Sequence, residues 1–132
     1  MTGKLSLPLS AALLVFLLPA QESGNFTGTV KRLESDIHVR AARIHFEPGA
    51  RTRWHAHEKG QILLCEEGVA RTQVQGRAVQ VLHPGETAYV PGGVPHWHGA
   101  AADQPTTLFS VDVSAGQTKW LNEVTEAEYK GR

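Results

Sequence analysis

Two histidine pairs carry the chemistry that this sequence can be expected to do. His55 and His57 are separated by one residue, as are His96 and His98. Side chains two apart on an extended strand project to the same side. Each pair can therefore aim two imidazoles at one point, and neutral imidazole is a good ligand for divalent transition metals. A lone pair of this kind arises by chance. Here the frame is fuller: G-A-R-T-R-W-H-A-H-E-K-G-Q-I-L-L-C-E-E-G runs from Gly49 to Gly68 and also contains Gln61. A second stretch, G-E-T-A-Y-V-P-G-G-V-P-H-W-H, runs from Gly85 to His98.

The elements that must position these residues read as strands. Turn signals recur at Pro48-Gly49, Glu67-Gly68, Gly76, Pro84-Gly85 and Pro91-Gly92-Gly93. Between them lie short segments rich in β-branched and aromatic residues: Ala42 to Phe46, Gln61 to Cys65, Val69 to Val74, Ala78 to Leu82, Thr87 to Val90 and Thr106 to Val113. Many short strands at even spacing predict an all-β sandwich or barrel. Alternation puts Ala42, Ile44 and Phe46 on one face of their strand and Arg43 and His45 on the other. Asn25 to Arg32 is expected to add an edge strand. Thr125-Glu126-Ala127-Glu128 fits a capping box and predicts a short C-terminal helix.

At 132 residues the chain has room for one domain. Residues 1–20 read differently from the rest: Lys4, the apolar run Leu9 to Leu18, then Pro19-Ala20 before the polar Gln21-Glu22-Ser23. That order is the order of a secretory signal cleaved after Ala20, and the run is shorter than the ~20 apolar residues that span a bilayer. Export to a bacterial periplasm or beyond is expected, with no stable membrane anchor after cleavage and one β-barrel domain over residues 25–132. Cys65 is the only cysteine, so no internal disulfide can form, and its apolar neighbours mark it as a small buried side chain. Thirteen basic and thirteen acidic residues cancel, with no basic run. Nucleic acid and anionic membranes are thereby poor partners. A small molecule is the expected one.

The spacings G-x5-H-x-H-x3-Q-x6-G and G-x5-P-x-G-x2-H resemble the two signature motifs of the cupin superfamily, whose fold is a double-sheet jelly roll. The resemblance implies His55, His57 and His96 as metal ligands, with Gln61 where the usual pattern has Glu. Gly49, Gly68, Gly85, Pro91 and Gly93 match the family's turn positions, and Ala100 stands where the second motif often ends in Asn. Three imidazoles and an amide would leave a divalent ion its full +2 charge, favouring Lewis-acid behaviour. Ligand type admits Mn, Fe, Co, Ni or Zn.

Four further stretches are similar to small bacterial cupins of the manganese-dependent hydroxynitrile lyase kind: F-T-G-T-V (Phe26 to Val30), F-E-P-G-A-R-T-R-W-H-A-H (Phe46 to His57), P-H-W-H-G-A-A (Pro95 to Ala101) and V-T-E-A-E-Y (Val124 to Tyr129). The implied activity is a lyase reaction, cleaving an aromatic cyanohydrin to an aldehyde and cyanide, with manganese as the first choice of metal. His98, about 7 Å along the strand from His96, is the candidate general base or acid, and Trp97 faces the other way. Ala42, Ile44, Leu108 and Phe109 are candidates for the cavity lining. Leu108 stands where the lyases carry a polar residue. Asp112 is expected either to hydrogen-bond a ligand or histidine or to sit at a solvated edge. Two other functions suit the same scaffold: a non-haem metal-dependent dioxygenase, and a non-catalytic protein binding a metal and a small ligand. Pairing of barrels through sheet edges, as in other small cupins, implies a homodimer or homotetramer.

Overall fold

The strand signals resolve into nine strands and one helix in the computed structural model, which describes Thr27, residues 38–114 and residues 116–132. The expected signal over residues 1–20 and all but Thr27 of the expected edge strand at Asn25 to Arg32 lie outside the described residues. The elements are β1 (Arg40–Phe46), β2 (His55–Ala56), β3 (Gly60–Gly68), β4 (Ala70–Val74), β5 (Gln80–Leu82), β6 (Thr87–Pro91), β7 (His96–Ala100), β8 (Thr106–Asp112), β9 (Lys119–Trp120) and α1 (Glu126–Lys130). They form a four-stranded sheet, β1-β8-β3-β6, and a five-stranded sheet, β5-β4-β7-β2-β9. The strand pairs are antiparallel. This is the expected jelly roll.

Strand bounds differ from the sequence reading at several elements, and two of the differences have a clear cause. The segment expected from Ala78 pairs only from Gln80, because the turn at Gly76 and Arg77 must close first: Gly76 has φ +80° and Arg77 N–H donates to Val74 O at 2.9 Å. β9 has no alternation long enough to announce it. It exists because β2 leaves an edge that His55 and Ala56 share with Trp120 and Lys119.

The interior is divided along the strands. In β8 burial alternates without a break, so Thr106, Leu108, Ser110 and Asp112 point inward. Leu108 joins Phe46, Leu63, Cys65, Ala70, Leu82, Ala88 and Ala100 in an apolar cluster. Each fully buried leucine there contributes roughly 1.5–3 kcal/mol. Towards the other end the inward positions turn polar, and Phe46 marks the boundary with its ring edge-on to His98, 5.7 Å between centroids. At the start of β3, Gly60 has φ +100°, and a side chain there would collide with the Val90 carbonyl. A β-carbon would thus push apart β3 and β6 beside Gln61.

The outer face of the second sheet is covered by α1. Trp97 is fully buried against Val124 and Tyr129, and its indole N–H donates to Gln73 Oε1 at 3.0 Å. The Tyr129 hydroxyl donates to Ala100 O at 2.7 Å. Thr125 caps the helix as the sequence predicts: its hydroxyl accepts from Glu128 N–H, and the Glu128 carboxylate accepts from Thr125 N–H. Thr125→Ala is expected to lower stability by about 1 kcal/mol, a drop of roughly 4–8 °C in Tm for a domain of this size. Thermal melts of the two metal-free proteins check it.

Candidate metal centre

Two rows of paired residues, one from each sheet, face each other across the polar end of the barrel. In the five-stranded sheet His96 pairs with His55 across β7 and β2, and His55 pairs with Trp120 on β9. In the four-stranded sheet Arg40, Asp112 and Gln61 lie side by side on β1, β8 and β3. Directly opposed antiparallel residues have β-carbons about 5 Å apart. Pairing therefore brings the two histidines together although they are far apart in sequence. His98 lies two residues beyond His96 on the same inward face and is paired with Thr72.

Four imidazoles result, all buried. Ring centroids are 4.2 Å apart for His55 and His96, 5.1 Å for His55 and His57, 5.2 Å for His55 and His98, and 5.5 Å for His57 and His96. His55, His96 and His98 each offer a ring nitrogen within 4.8 Å of the others. Gln61 Oε1 stands 2.8 Å from His96 Nε2. His55 Nδ1 lies 2.9 Å from Arg53 O, so it carries the proton and leaves Nε2 as a lone pair. Among the described residues, two buried ring nitrogens have no hydrogen-bond partner: His57 Nε2 and His98 Nδ1.

Burial holds all four rings neutral. It is the main cause that lowers the pKa of His55 and His57 and pushes that of His96 down to about 3; neighbouring imidazoles lower His96 further. His98 is held well below the usual histidine value by burial, with His55, His96 and His57 adding to the effect.

This donor set fits a divalent ion. Neutral imidazoles with unpartnered nitrogens, converging with an amide oxygen, are what such an ion needs and what a dry core avoids. The 2.8 Å contact between Gln61 Oε1 and His96 Nε2 is close to the ~3 Å between neighbouring ligands of one ion with bonds of about 2.1 Å. His55 and His96 belong to both the compact histidine trio and the set implied by the motifs. His57, Gln61 and His98 are the remaining donors.

A cavity of about 180 Å³ opens onto the rings of His55, His57 and His98. Of the expected lining residues, Ala42, Ile44 and Asp112 line it, as do His55, His57, Gln61 and His98. Leu108 does not. It is wholly buried in the apolar cluster, two positions too far along β8 to reach the site. Phe109 takes the outward parity of the same strand. Asp112 is buried and bonded, which removes the solvated-edge alternative. Arg53 reaches the site through its backbone carbonyl, which lies against His55 Nδ1.

Sequence reasoning missed Arg40, Thr52, Ser110, Thr118 and Trp120, all of which line the cavity. Arg40 shares the parity of Ala42 and Ile44, so one more step of alternation would have found it. Ser110 lies between Leu108 and Asp112 on the same face and was equally legible. Trp120 was not, because only the pairing of β9 with β2 brings it to His55, at 4.9 Å between rings.

Fold and site together define the class. The cupin domain family matches residues 42–112, more than half of the chain, and the chain belongs to that family. It is similar to the (R)-mandelonitrile lyase of Granulicella tundricola, 36% identical over 112 residues that cover 80% of this chain and 86% of that protein. Among solved structures, a cupin-like protein from Thermotoga maritima MSB8 has a TM-score of 0.67 at 38% identity, over 70% of this chain and 71% of the other. A DMSP lyase from Ruegeria pomeroyi DSS-3 has a TM-score of 0.60 at 21% identity, over 70% of this chain and 47% of its own. That likeness concerns the fold alone.

Proposed function

We propose that this cupin is a metal-dependent hydroxynitrile lyase, splitting small aromatic cyanohydrins into aldehyde and hydrogen cyanide and catalysing the reverse addition. The cavity carries the reading. At about 180 Å³, walled by Ala42, Ile44 and Trp120 and floored by neutral imidazoles and one amide, it suits a single ring bearing a short polar substituent. Drug-sized ligands occupy sites of roughly 300–1,000 Å³. The likeness to a protein named as a mandelonitrile lyase supports the same reaction.

His55, His57, His96 and Gln61 would hold the ion, manganese first, as in the lyases that the motifs resemble. Bound there, it would supply Lewis acidity toward the substrate hydroxyl. The chain's own residues do the rest. His98 lines the cavity with a neutral ring, held by the edge of Phe46 and by its backbone N–H donating to Thr52 Oγ1 at 3.2 Å. It accepts the hydroxyl proton. The oxygen's electron pair then forms the aldehyde carbonyl as the bond to the nitrile carbon breaks. That bond's pair departs on cyanide, which takes the proton from His98 and leaves as hydrogen cyanide. The apolar side chains of Ala42 and Ile44 line the side of the cavity that faces the breaking bond.

Cyanide and benzaldehyde release from mandelonitrile by manganese-loaded protein tests the proposal. The expected rate exceeds that of identically treated His55→Ala protein by on the order of 10²-fold or more. Equal rates would sink the lyase reading. Oxygen uptake with Fe(II) and a phenolic substrate, without cyanide release, would move the chain to the oxygenases instead.

A further inference from the structure

Resting on that metal-binding reading, we propose that Asp112 is the positioning residue of the centre, aiming Gln61 and His57 at the ion and supplying from behind them the negative charge that the ligands lack. Asp112 lies on β8, in line with Arg40 on one side and Gln61 on the other. Its Oδ1 accepts from Gln61 Nε2 at 2.8 Å. Ser110 Oγ accepts from the same nitrogen, also at 2.8 Å. A carboxylate can only accept, so the atom that Gln61 turns toward Asp112 must be its NH2. The carbonyl oxygen is thereby forced to the opposite side, toward His96 Nε2.

The same Oδ1 lies 3.5 Å from His57 Nδ1. That contact favours the proton on Nδ1 and leaves His57 Nε2, buried and without a partner, as the donor atom. One carboxylate thus holds Gln61 by a hydrogen bond and biases the tautomer of His57 through its charge. Arg40 completes the arrangement by donating from Nε to Asp112 Oδ2 at 3.0 Å, which leaves Oδ1 for Gln61 and His57. Arg40's side chain is 53% exposed, so water screens its charge, whereas Asp112's is 6% exposed and screened little. The ion would experience the carboxylate more strongly than the guanidinium.

The geometry accounts for an amide in the ligand position. A carboxylate at position 61 would set two like charges in contact, so that one of the two acids would have to keep its proton. Here one negative charge serves the site from the neighbouring strand.

Calorimetric titration of metal-stripped, full-length protein with Mn²⁺ alone tests the assignment. Asp112→Asn is expected to bind on the order of 10–100-fold more weakly, because its own amide no longer dictates which end of Gln61 faces the ion. Adding Gln61→Glu to Asp112→Asn exchanges the acid and the amide, preserving both the hydrogen bond and the net charge, and is expected to restore affinity to within about tenfold of the parent. A side chain that merely props the barrel would not be rescued in this way. Should Asp112→Asn fail to fold by circular dichroism, Ser110→Ala removes the other anchor of the amide and is expected to weaken binding by at least about threefold.

Asp112→Asn affinity within twofold of the parent overturns the assignment, as does a folded double variant that stays as weak as the single one. Unchanged Ser110→Ala affinity overturns it where that variant is the one read. A parent that binds no Mn²⁺ fails the metal reading itself, and this assignment with it.

Discussion

Replacing His96 with alanine is expected to abolish both metal retention and cyanide release. His96 is fully buried, faces His55 directly across β7 and β2, and touches Gln61 Oε1. It thereby joins the five-stranded sheet's histidines to the amide that the four-stranded sheet contributes. Metal at 100 times its Kd stabilises a native protein by about 2.7 kcal/mol, which for a domain of this size raises Tm by on the order of 10–20 °C. The parent should show that rise with Mn²⁺ and His96→Ala should show none. Two further variants separate ligand from proton acceptor. His57→Ala should lose the metal-dependent rise, whereas His98→Ala should keep it and lose turnover by roughly 10²–10⁴-fold. A His98→Ala protein that no longer responds to Mn²⁺ would assign the compact His55, His96 and His98 trio as the ligands.

Acid should destabilise the metal-free protein steeply below neutrality. The unfolded chain titrates its histidines near 6.5, whereas the folded values of His55, His57, His96 and His98 are all lowered by burial, His96 to about 3. Above pH 6.5 the rings are neutral in both states and their contribution is fully present. As pH falls below 6.5 the unfolded chain takes up protons that the folded chain refuses, so stability falls with pH until the folded values are reached. For His96 alone, the step from pH 6.5 to 5 costs about 2 kcal/mol. With the other rings adding to it, Tm of stripped protein should drop by on the order of 10 °C or more between pH 7 and pH 5. Loaded protein should also release its metal over this interval, because protonated imidazole cannot ligate. Melts at constant ionic strength check both; a Tm independent of pH would contradict four buried neutral histidines.

The comparison of sequence and structure turns on parity and pairing. The sequence by itself determined an all-β sandwich or barrel, because turn residues punctuate short strands at even spacing, and the resemblance of its two motifs to those of the cupins narrowed that to a jelly roll. It also determined the capping box at Thr125, a device confined to four successive residues. The family motifs identified the residue types of the centre, since histidines one residue apart and a glutamine nearby are visible along the chain. What parity could not say is how far along a strand the site lies. Leu108 and Asp112 share a face of β8, yet one belongs to the apolar cluster and the other to the cavity.

Only the tertiary structure decided that difference, and three others. It paired His55 with both His96 and Trp120, placing an aromatic wall beside the ligands through a two-residue strand with no signal of its own. It packed Trp97 beneath α1 within the chain itself. It also set Arg40, Asp112 and Gln61 in one row across three strands, although 72 residues separate the first two and 51 separate the last two. The physical reason is common to all of them. Periodicity along a strand reports which side a residue faces, whereas its neighbours are chosen by cross-strand register, which is set by hydrogen bonding between segments remote in sequence.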